Sequence, residues 1–205
     1  MVTVEIDPDV VEQRLGSGGL ACPGCAGRLA GWGRARARVV RGPGGPLGVI
    51  PRRSRCTGCR ATHVLLPVSL LVGRADTAAV IGTALTAKAA GHGYRRIAAA
   101  LGRPADTVRG WLRRFAARVE DVRAVFTGWC RALDPDPVLP GPAGCGWADA
   151  LAALHAAARA VTARFAGVGA VGRRDVVVVP VWQVAVVVSA GRLLAPGWPV
   201  RTARS

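Results

Sequence analysis

Two Cys-x-x-Cys pairs constrain the fold of this chain more than any other feature of its sequence. They are Cys22 with Cys25 and Cys56 with Cys59. Each pair can form a tight turn that points two thiols to one side, and two such turns complete a tetrahedral set of sulfur ligands. The sequence therefore predicts a structural zinc ion (Zn²⁺), because four thiolates leave no position for water or substrate.

The alternative to a zinc site is a redox-active Cys-x-x-Cys pair, but such a pair usually occurs singly, at the start of a helix. Three other residues bear on the metal site. His63, four residues after Cys59, could replace one ligand. Cys130 and Cys145 lack partners at metal-binding spacing, so we expect Cys130 to be packed on a helix and Cys145 to be an exposed free thiol.

The residues around the cysteine pairs predict a small β ribbon. Arg alternates with Ala or Val over 33–41, residues 42–46 read as a turn, and 47–55 and 62–67 read as further strands. A short acidic lead (1–21) predicts one more strand and a helical turn. The ribbon arginines are expected to present positive charge to a phosphate backbone, or else to form a solvated face: Arg34, Arg36, Arg38, Arg41, Arg52, Arg53, Arg55 and Arg60.

The charge of the chain indicates a polyanionic partner. Lys and Arg number 28 against 12 Asp and Glu, a formal net charge of +16 on 205 residues. A field of this sign attracts nucleic acid above all. The first twenty residues lack the apolar core of a secretory signal, and the apolar stretch over 176–190 is interrupted and too short to span a bilayer. These features predict a cytoplasmic, nucleoid-associated protein in which cysteines bind metal rather than form disulfides.

A helix-turn-helix is predicted over 93–115, "GYRRIAAALGRPADTVRGWLRRF". Gly102 is expected to end the first helix in the left-handed conformation, and Pro104 to open the second. The alternative is an ordinary helical hairpin with an arginine-rich solvent face. The apolar residues expected to close the core between the two helices are Ile97, Leu101, Val108 and Trp111.

The second helix of this motif would place two arginines toward DNA bases. Arg109 and Arg113 are the expected base contacts, because Arg binds guanine through two hydrogen bonds, and Asp106 shares their face. The arginines expected to contact phosphates are Arg95, Arg96, Arg103, Arg114 and Arg118.

The motif "IAAALGRPADTVRGWLRRF" resembles the helix-turn-helix of transposase and resolvase-type DNA-binding domains. Together with the ribbon "CPGC…RRSRCTGCRATHVLLP", it resembles the N-terminal DNA-binding module of insertion-sequence transposases, and it is similar to an actinobacterial family of zinc-ribbon plus helix-turn-helix proteins. The resemblance covers about residues 20–118 and implies DNA binding. One departure is Pro104, which stands where such motifs often have a capping Ser or Thr.

Apolar residues continue at a seven-residue spacing after the motif. No proline interrupts 105–133, so the recognition helix is expected to run through this whole range. A Pro/Gly-rich breaker (134–146) separates it from a second apolar seam on a helix over 147–166. We expect the two seams to pack as a helical hairpin within one chain, with a homodimer as the alternative. The Val-rich tail favours a last helix over 180–194.

These patterns predict a mainly α fold with a small N-terminal β zinc ribbon, a helix-turn-helix and a helical hairpin or bundle. Residues 1–70 would form the zinc ribbon with its short lead, 76–133 the helix-turn-helix with its extended recognition helix, and 147–205 the C-terminal helical segment.

Catalysis is not expected. A metal-dependent transposase or nuclease needs two or three convergent carboxylates, and the only acids beyond residue 121 are Asp134, Asp136, Asp149 and Asp175. The sequence instead predicts a sequence-specific binder of double-stranded DNA. It would be a transcription regulator, or a transposase-like recognition component of a mobile element that acts beside a separate catalytic subunit. The alternative is a zinc-ribbon adaptor that binds a protein partner through its helical part.

Overall fold

A computed structural model describes residues 1–165 and 179–199, which form two compact units. The N-terminal unit comprises Met1–Val80 and Val186–Trp198, and the helical unit is built from Ile81–Ala185. Residues near the C-terminus thus group with the ribbon, although they lie in the predicted C-terminal segment.

The N-terminal lead forms strand β1 (Val2–Val4) and helix α1 (Pro8–Ser17). Asp7 caps α1, because its carboxylate accepts a hydrogen bond of 2.9 Å from the backbone N–H of Asp9. Gly18 ends α1 in the left-handed conformation, at φ +78°. The expected helical turn is a complete helix whose Val11 and Leu15 are buried.

Five more strands complete the ribbon: β2 (Leu29–Arg34), β3 (Arg38–Gly42), β4 (Gly45–Val49), β5 (Arg52–Cys56) and β6 (Thr62–Pro67). Four strands form one sheet in the order β1-β6-β5-β2, in which β1 runs parallel to β6 and the other pairs are antiparallel. Strands β3 and β4 form a separate hairpin. Beneath the sheet lies a core that includes Val4, Leu29, Leu65 and the buried thiols of Cys22 and Cys56.

Two of the predicted strands differ from the structure. The strand over 62–67 and the turn near 42–46 are confirmed, but 47–55 is not one strand. It divides into β4 and β5 at Pro51, which has no N–H for a ladder and instead accepts a hydrogen bond of 2.8 Å from Ala35 on its carbonyl. The strand over 33–41 divides as well, because residues 35–37 separate β2 from β3.

Six further helices follow in the described residues: α2 (Ala78–Ala89), α3 (Tyr94–Leu101), α4 (Ala105–Ala116), α5 (Val119–Leu133), α6 (Gly146–Phe165) and α7 (Val181–Val188). With α1 these make seven helices beside a small N-terminal sheet. The fold is therefore mainly α, as predicted, with a larger β share than a minimal ribbon would give.

The expected continuous helix over 105–133 is wrong, because α4 ends at Ala116 and α5 begins at Val119. The N–H of Arg118 donates to the carbonyl of Phe115 at 2.8 Å, a tight closing turn, and Arg118 leaves the helical region with φ −136°. Glu120 and Asp121 then lie in the first turn of α5, where the helix dipole favours negative charge.

The predicted helical hairpin is present within the chain, where α5 packs against α6. Phe126 of α5 and Leu154 of α6 are both buried, as are Leu151 and Ala158 from the predicted seam. Trp129, which continues the seven-residue spacing of Phe115 and Val122, is instead 41% exposed. The expected homodimer stays a prediction.

The predicted C-terminal helix over 180–194 is shorter in the structure, where α7 ends at Val188. Ala190 and Gly191 stop it, because both have positive φ. The following residues belong to the N-terminal unit: the N–H of Val72 donates to the carbonyl of Gly191 at 2.8 Å, and the guanidinium of Arg74 donates to that of Leu194 at 3.1 Å.

The Val-rich stretch before Val179, which includes Asp175, lies outside the described residues. Among the helices that the structure describes, none combines the length and apolar character needed to cross a bilayer.

Candidate metal centre and nucleic-acid interface

The first cysteine pair lies in a tight turn between α1 and β2. The N–H of Cys22 donates to the carbonyl of Gly27 at 2.8 Å, and the N–H of Ala26 donates to that of Cys22 at 2.8 Å. Ala26 adopts the left-handed conformation, with φ +58°. The turn therefore folds back on itself so that the thiols of Cys22 and Cys25 both reach the site.

The second pair repeats this turn at the junction of β5 and β6. The N–H of Cys56 donates to the carbonyl of Ala61 at 2.9 Å. Arg60 has φ +65°, and it follows Cys59 just as Ala26 follows Cys25. Two turns of the same design thus approach the site from opposite sides.

Replacing Ala26 or Arg60 with glycine should stabilise the N-terminal unit. A side chain in the left-handed region costs about 1–2 kcal/mol. Replacing it with glycine removes this cost, but glycine loses more conformational entropy on folding, which offsets about 0.5–1 kcal/mol of the gain. We expect Ala26→Gly and Arg60→Gly each to raise the free energy of unfolding by about 0.5–1 kcal/mol, measured by urea denaturation of the metal-loaded protein. Ala30→Gly in β2 is the control and should destabilise; destabilisation by all three would contradict this account.

The four thiols converge on one point. Their sulfur atoms all lie within 4.8 Å of one another, with Cys22 to Cys59 at 3.7 Å and Cys25 to Cys56 at 3.5 Å. Tetrahedral Zn²⁺ with bonds of about 2.3 Å would hold its sulfurs about 3.8 Å apart. The four cysteines can therefore hold a metal ion, and their geometry fits zinc.

The surroundings shift the pKa values of two of the four thiols in opposite directions. The N–H of Gly27, followed by the thiols of Cys56 and Cys59, lowers the pKa of Cys25 to about 6. At Cys59 the N–H of Ala61 acts in the same direction, but the three neighbouring thiols outweigh it and raise the pKa to about 11. The hydrogen bonds therefore favour the thiolate form of Cys25, which a metal ligand requires, and the neighbouring thiols disfavour that form at Cys59.

Two further residues lie against the thiols. The Nε2 atom of His63 lies 3.4 Å from the sulfur of Cys22, but His63 is not one of the four convergent ligands. A Cβ atom on Gly27 would lie 3.0 Å from the sulfur of Cys56. This close approach at Gly27 was not predicted from the sequence, although the position of this glycine just after the first cysteine pair pointed to it. Cys130 is buried and Cys145 is exposed, both as predicted.

Helices α3 and α4 form the predicted helix-turn-helix. Gly102 ends α3 at φ +60°, and the next N–H donates back to the carbonyl of Ala98 at 2.9 Å. Pro104 occupies the cap position before α4 rather than its first turn, and no side chain caps this helix. Of the expected core residues, Leu101 is half-buried and three are buried: Ile97, Val108 and Trp111.

The predicted base contacts lie on one exposed face of α4. Asp106, Arg109 and Arg113 are exposed at helical spacing. The opposite face is buried through Val108, Trp111, Leu112 and Phe115. The helix therefore presents two arginines and one carboxylate outward.

The predicted phosphate contacts fall into two groups. Arg95 and Arg96 of α3 are exposed. The other three guanidinium groups donate to backbone carbonyls of α3 and α4: Arg103 to Leu101 at 3.0 Å, Arg114 to Gly110 at 2.9 Å and Arg118 to Arg114 at 2.7 Å.

Two of the ribbon arginines are paired within the fold. Arg41 lies 2.6 Å from Asp76, whose side chain is only 2% exposed, and Arg52 lies 2.6 Å from Glu12. Their charges are neutralised locally, so they do not add to a basic face. Arg34, Arg36, Arg53 and Arg60 are exposed.

Comparison with known proteins identifies one part of the chain. A family model described as a homeodomain-like domain matches residues 79–123, from α2 through the helix-turn-helix into α5. This match confirms the predicted helix-turn-helix and suggests DNA binding. No curated protein and no solved structure matches the chain.

Proposed function

We propose that this protein is a non-enzymatic, sequence-specific binder of double-stranded DNA, in which α4 contacts the bases and a zinc-bound ribbon stabilises a basic platform. Its roles would be those of a transcription regulator or of the recognition component of a mobile element. A homodimer on a paired site, a separate catalytic subunit and a cytoplasmic, nucleoid-associated location belong to the same proposal.

The outward face of α4 supports this proposal most directly. Arg109 and Arg113 are exposed on a helix whose other face is buried in a homeodomain-like domain. Within the matched residues 79–123, nine Lys and Arg oppose three Asp and Glu, a net charge of +6. A rigid helix with this charge suits the negatively charged major groove.

Each exposed side chain of α4 has a distinct role in this proposal. Arg109 and Arg113 donate two hydrogen bonds each to O6 and N7 of guanine, and Asp106 accepts from N4 of cytosine. Arg95 and Arg96 contact phosphates, which adds affinity without sequence information. Arg114 and Arg118 donate to carbonyls of α4, and their charges strengthen the positive field.

The zinc ion would act only in folding. Cys22, Cys25, Cys56 and Cys59 would hold it, and the ion supplies a link between the two cysteine turns that the small hydrophobic core cannot supply alone. No substrate position remains at four thiolates, in agreement with a non-catalytic site.

The double variant Arg109→Ala/Arg113→Ala tests the proposal. A duplex selected from a random pool by the wild-type chain should bind the variant about 30-fold or more weaker, because each guanine contact contributes about 1–3 kcal/mol. Random duplex should bind almost as before. Fluorescence anisotropy over a range of salt concentrations measures both, and log affinity should fall by about 0.9 per log unit of salt for each phosphate contacted.

Arg131→Ala is the matched control, since it removes an exposed arginine from the last turn of α5. It should leave selectivity unchanged. Equal losses for selected and random duplex in the double variant would contradict the assignment of α4 as the base-contacting helix. If the wild-type chain bound no duplex at low salt, the alternative would be favoured, namely an adaptor that binds a protein through its helical part.

A further inference from the structure

An exposed tryptophan lies on the ribbon sheet, in the N-terminal unit and not in the helix-turn-helix. Trp32 belongs to β2 and is 53% exposed. The guanidinium carbon of Arg55, on the neighbouring strand β5, lies 4.6 Å from the centre of the Trp32 ring. This distance is that of a cation–π contact. The ring is therefore held beside a positive charge and remains open to solvent.

A β-bulge places Trp32 in this position. The pairing of β2 with β5 shifts between Gly31 and Arg34, so that Trp32 and Gly33 together occupy the place opposite Arg53. Gly33 has φ +92°, which a side chain would strain. Bulges re-aim side chains and are frequent next to functional sites. The bulge thus gives the exposed Trp32 side chain a defined position on the sheet.

Arg52 fixes the bulge. Its Nη1 atom donates to the carbonyl of Gly33 at 2.6 Å, and its Nε atom donates to Glu12 at 2.6 Å. A Cβ atom on Gly31 would lie 2.6 Å from the guanidinium of Arg52, so this arginine packs directly over the glycine. The geometry of β2 around Trp32 is therefore held by a side chain that is itself paired.

The face around Trp32 is basic. Ser54 is buried, so Arg53 and Arg55 on either side of it project from the opposite face of β5, where Arg53 is exposed. Arg55 pairs across the sheet with Ala30 and Thr62, which adds no acid to this face. Residues 13–75 contain eleven arginines and no Asp or Glu. This charge is complementary to a polyanion.

We propose that Trp32, Arg53 and Arg55 form a binding site for single-stranded nucleic acid. An unpaired base stacks on the exposed ring of Trp32, and the two guanidinium groups contact the adjacent phosphates. Every base has a π-face, so such stacking tolerates any sequence, and a positively charged surface follows the backbone. Bases within a duplex stack on each other and cannot reach the ring.

An acidic protein segment suits this face less well. Hot spots for protein partners lie in well-packed pockets, where surrounding contacts exclude water. At Trp32 the guanidinium of Arg55 lies against the ring, and the chain neighbours in β2 are Gly31 and Gly33. The residues of this site belong to the N-terminal unit and those of α4 to the helical unit, so the inference does not depend on the proposed contacts of α4 with duplex DNA.

The test compares two oligonucleotides of equal charge. Fluorescence anisotropy with the full-length, zinc-loaded chain would measure binding of a labelled oligothymidylate and of an abasic oligomer of the same length. The wild-type chain should bind the thymidylate at least tenfold tighter, because stacking of a single base changes affinity about 5- to 150-fold. Trp32→Ala should remove this preference and leave abasic binding unchanged.

Three variants serve as controls. Trp32→Phe keeps a ring and should keep part of the preference, and Arg55→Ala should weaken both oligomers. Trp129→Ala removes a tryptophan that is 41% exposed on α5, and it should have no effect. Zinc content and circular dichroism of each variant establish that the ribbon is folded. An oligouridylate arm distinguishes RNA from DNA as the source, and tight binding of either supports the site.

Several results would overturn the inference. They are equal affinity of the wild-type chain for thymidylate and abasic oligomers, an equal loss of both in Trp32→Ala, or binding of polyglutamate in preference to either. The Arg109→Ala/Arg113→Ala variant separates the two proposals, because it should lose duplex selectivity and keep thymidylate binding. Loss of thymidylate binding in that variant but not in Trp32→Ala would place the site elsewhere.

Discussion

We expect Cys56→Ser to abolish metal binding and to unfold the N-terminal unit. The Cys56 thiol is buried, lies 3.5 Å from that of Cys25, and belongs to the strand that pairs with β2. Structural zinc sites contribute about 10–16 kcal/mol in zinc-finger peptides. Whole domains are stable by only about 5–15 kcal/mol, so the loss of one ligand should exceed what the ribbon core can offset.

Metal analysis and limited trypsin digestion would measure this result. Bound zinc should fall from one ion per chain to none, and the arginines over 34–60 should become rapid cleavage sites. Cys145→Ser is the matched control, because Cys145 is an exposed cysteine outside the cluster, and it should behave as wild type. Retention of one zinc ion by Cys56→Ser would contradict the assignment of four cysteine ligands.

The second large effect is expected at the centre of the helical unit. Phe115 of α4 is completely buried, and its ring centre lies 4.8 Å from that of Trp147 on α6. The indole N–H of Trp147 donates to the carbonyl of Leu85 on α2 at 3.0 Å. Phe115→Ala would open a cavity where these three helices meet, at a cost of about 3–5 kcal/mol.

Urea denaturation followed by circular dichroism would measure the loss, as a lower transition midpoint for the helical signal. Phe165→Ala removes the same ring from the last turn of α6, where Phe165 is 55% exposed. It should change the free energy of unfolding by no more than about 0.5 kcal/mol. Similar losses for the two variants would show that Phe115 does not hold the helices together.

The features that the sequence predicted correctly depend on local chemistry. The cysteine spacing determines which four thiols can meet, and the Gly102 turn needs only its neighbours to end α3. The strand over 62–67 contains a short apolar run that ends at Pro67, and such a run can be assigned without its partners. Within each Cys-x-x-Cys pair, at Gly102 and along residues 62–67, the features that decide the prediction lie within a few residues of one another.

The features that the sequence did not predict depend on residues far apart in the chain, or on an apolar spacing that continues past the end of a helix. The seven-residue spacing continues through Arg118, so periodicity could not reveal that α4 ends there. Arg41 and Arg52 look like their exposed neighbours, but their carboxylate partners, Asp76 and Glu12, lie 35 and 40 positions away. The bulge at Trp32 likewise exists only once β2 has paired with β5.

The division of the N-terminal unit between two distant parts of the chain has a consequence during synthesis. All four cysteines precede residue 60, so metal can bind early, but Leu193 and Leu194, which are buried in the finished protein, come much later. Translation of residues 81–198 takes about 6–24 s at about 5–20 residues per second. A metal ion bound by the four cysteines during that interval would be held before Leu193 and Leu194 had been made, so that metal binding and completion of the N-terminal unit would be separate steps of synthesis.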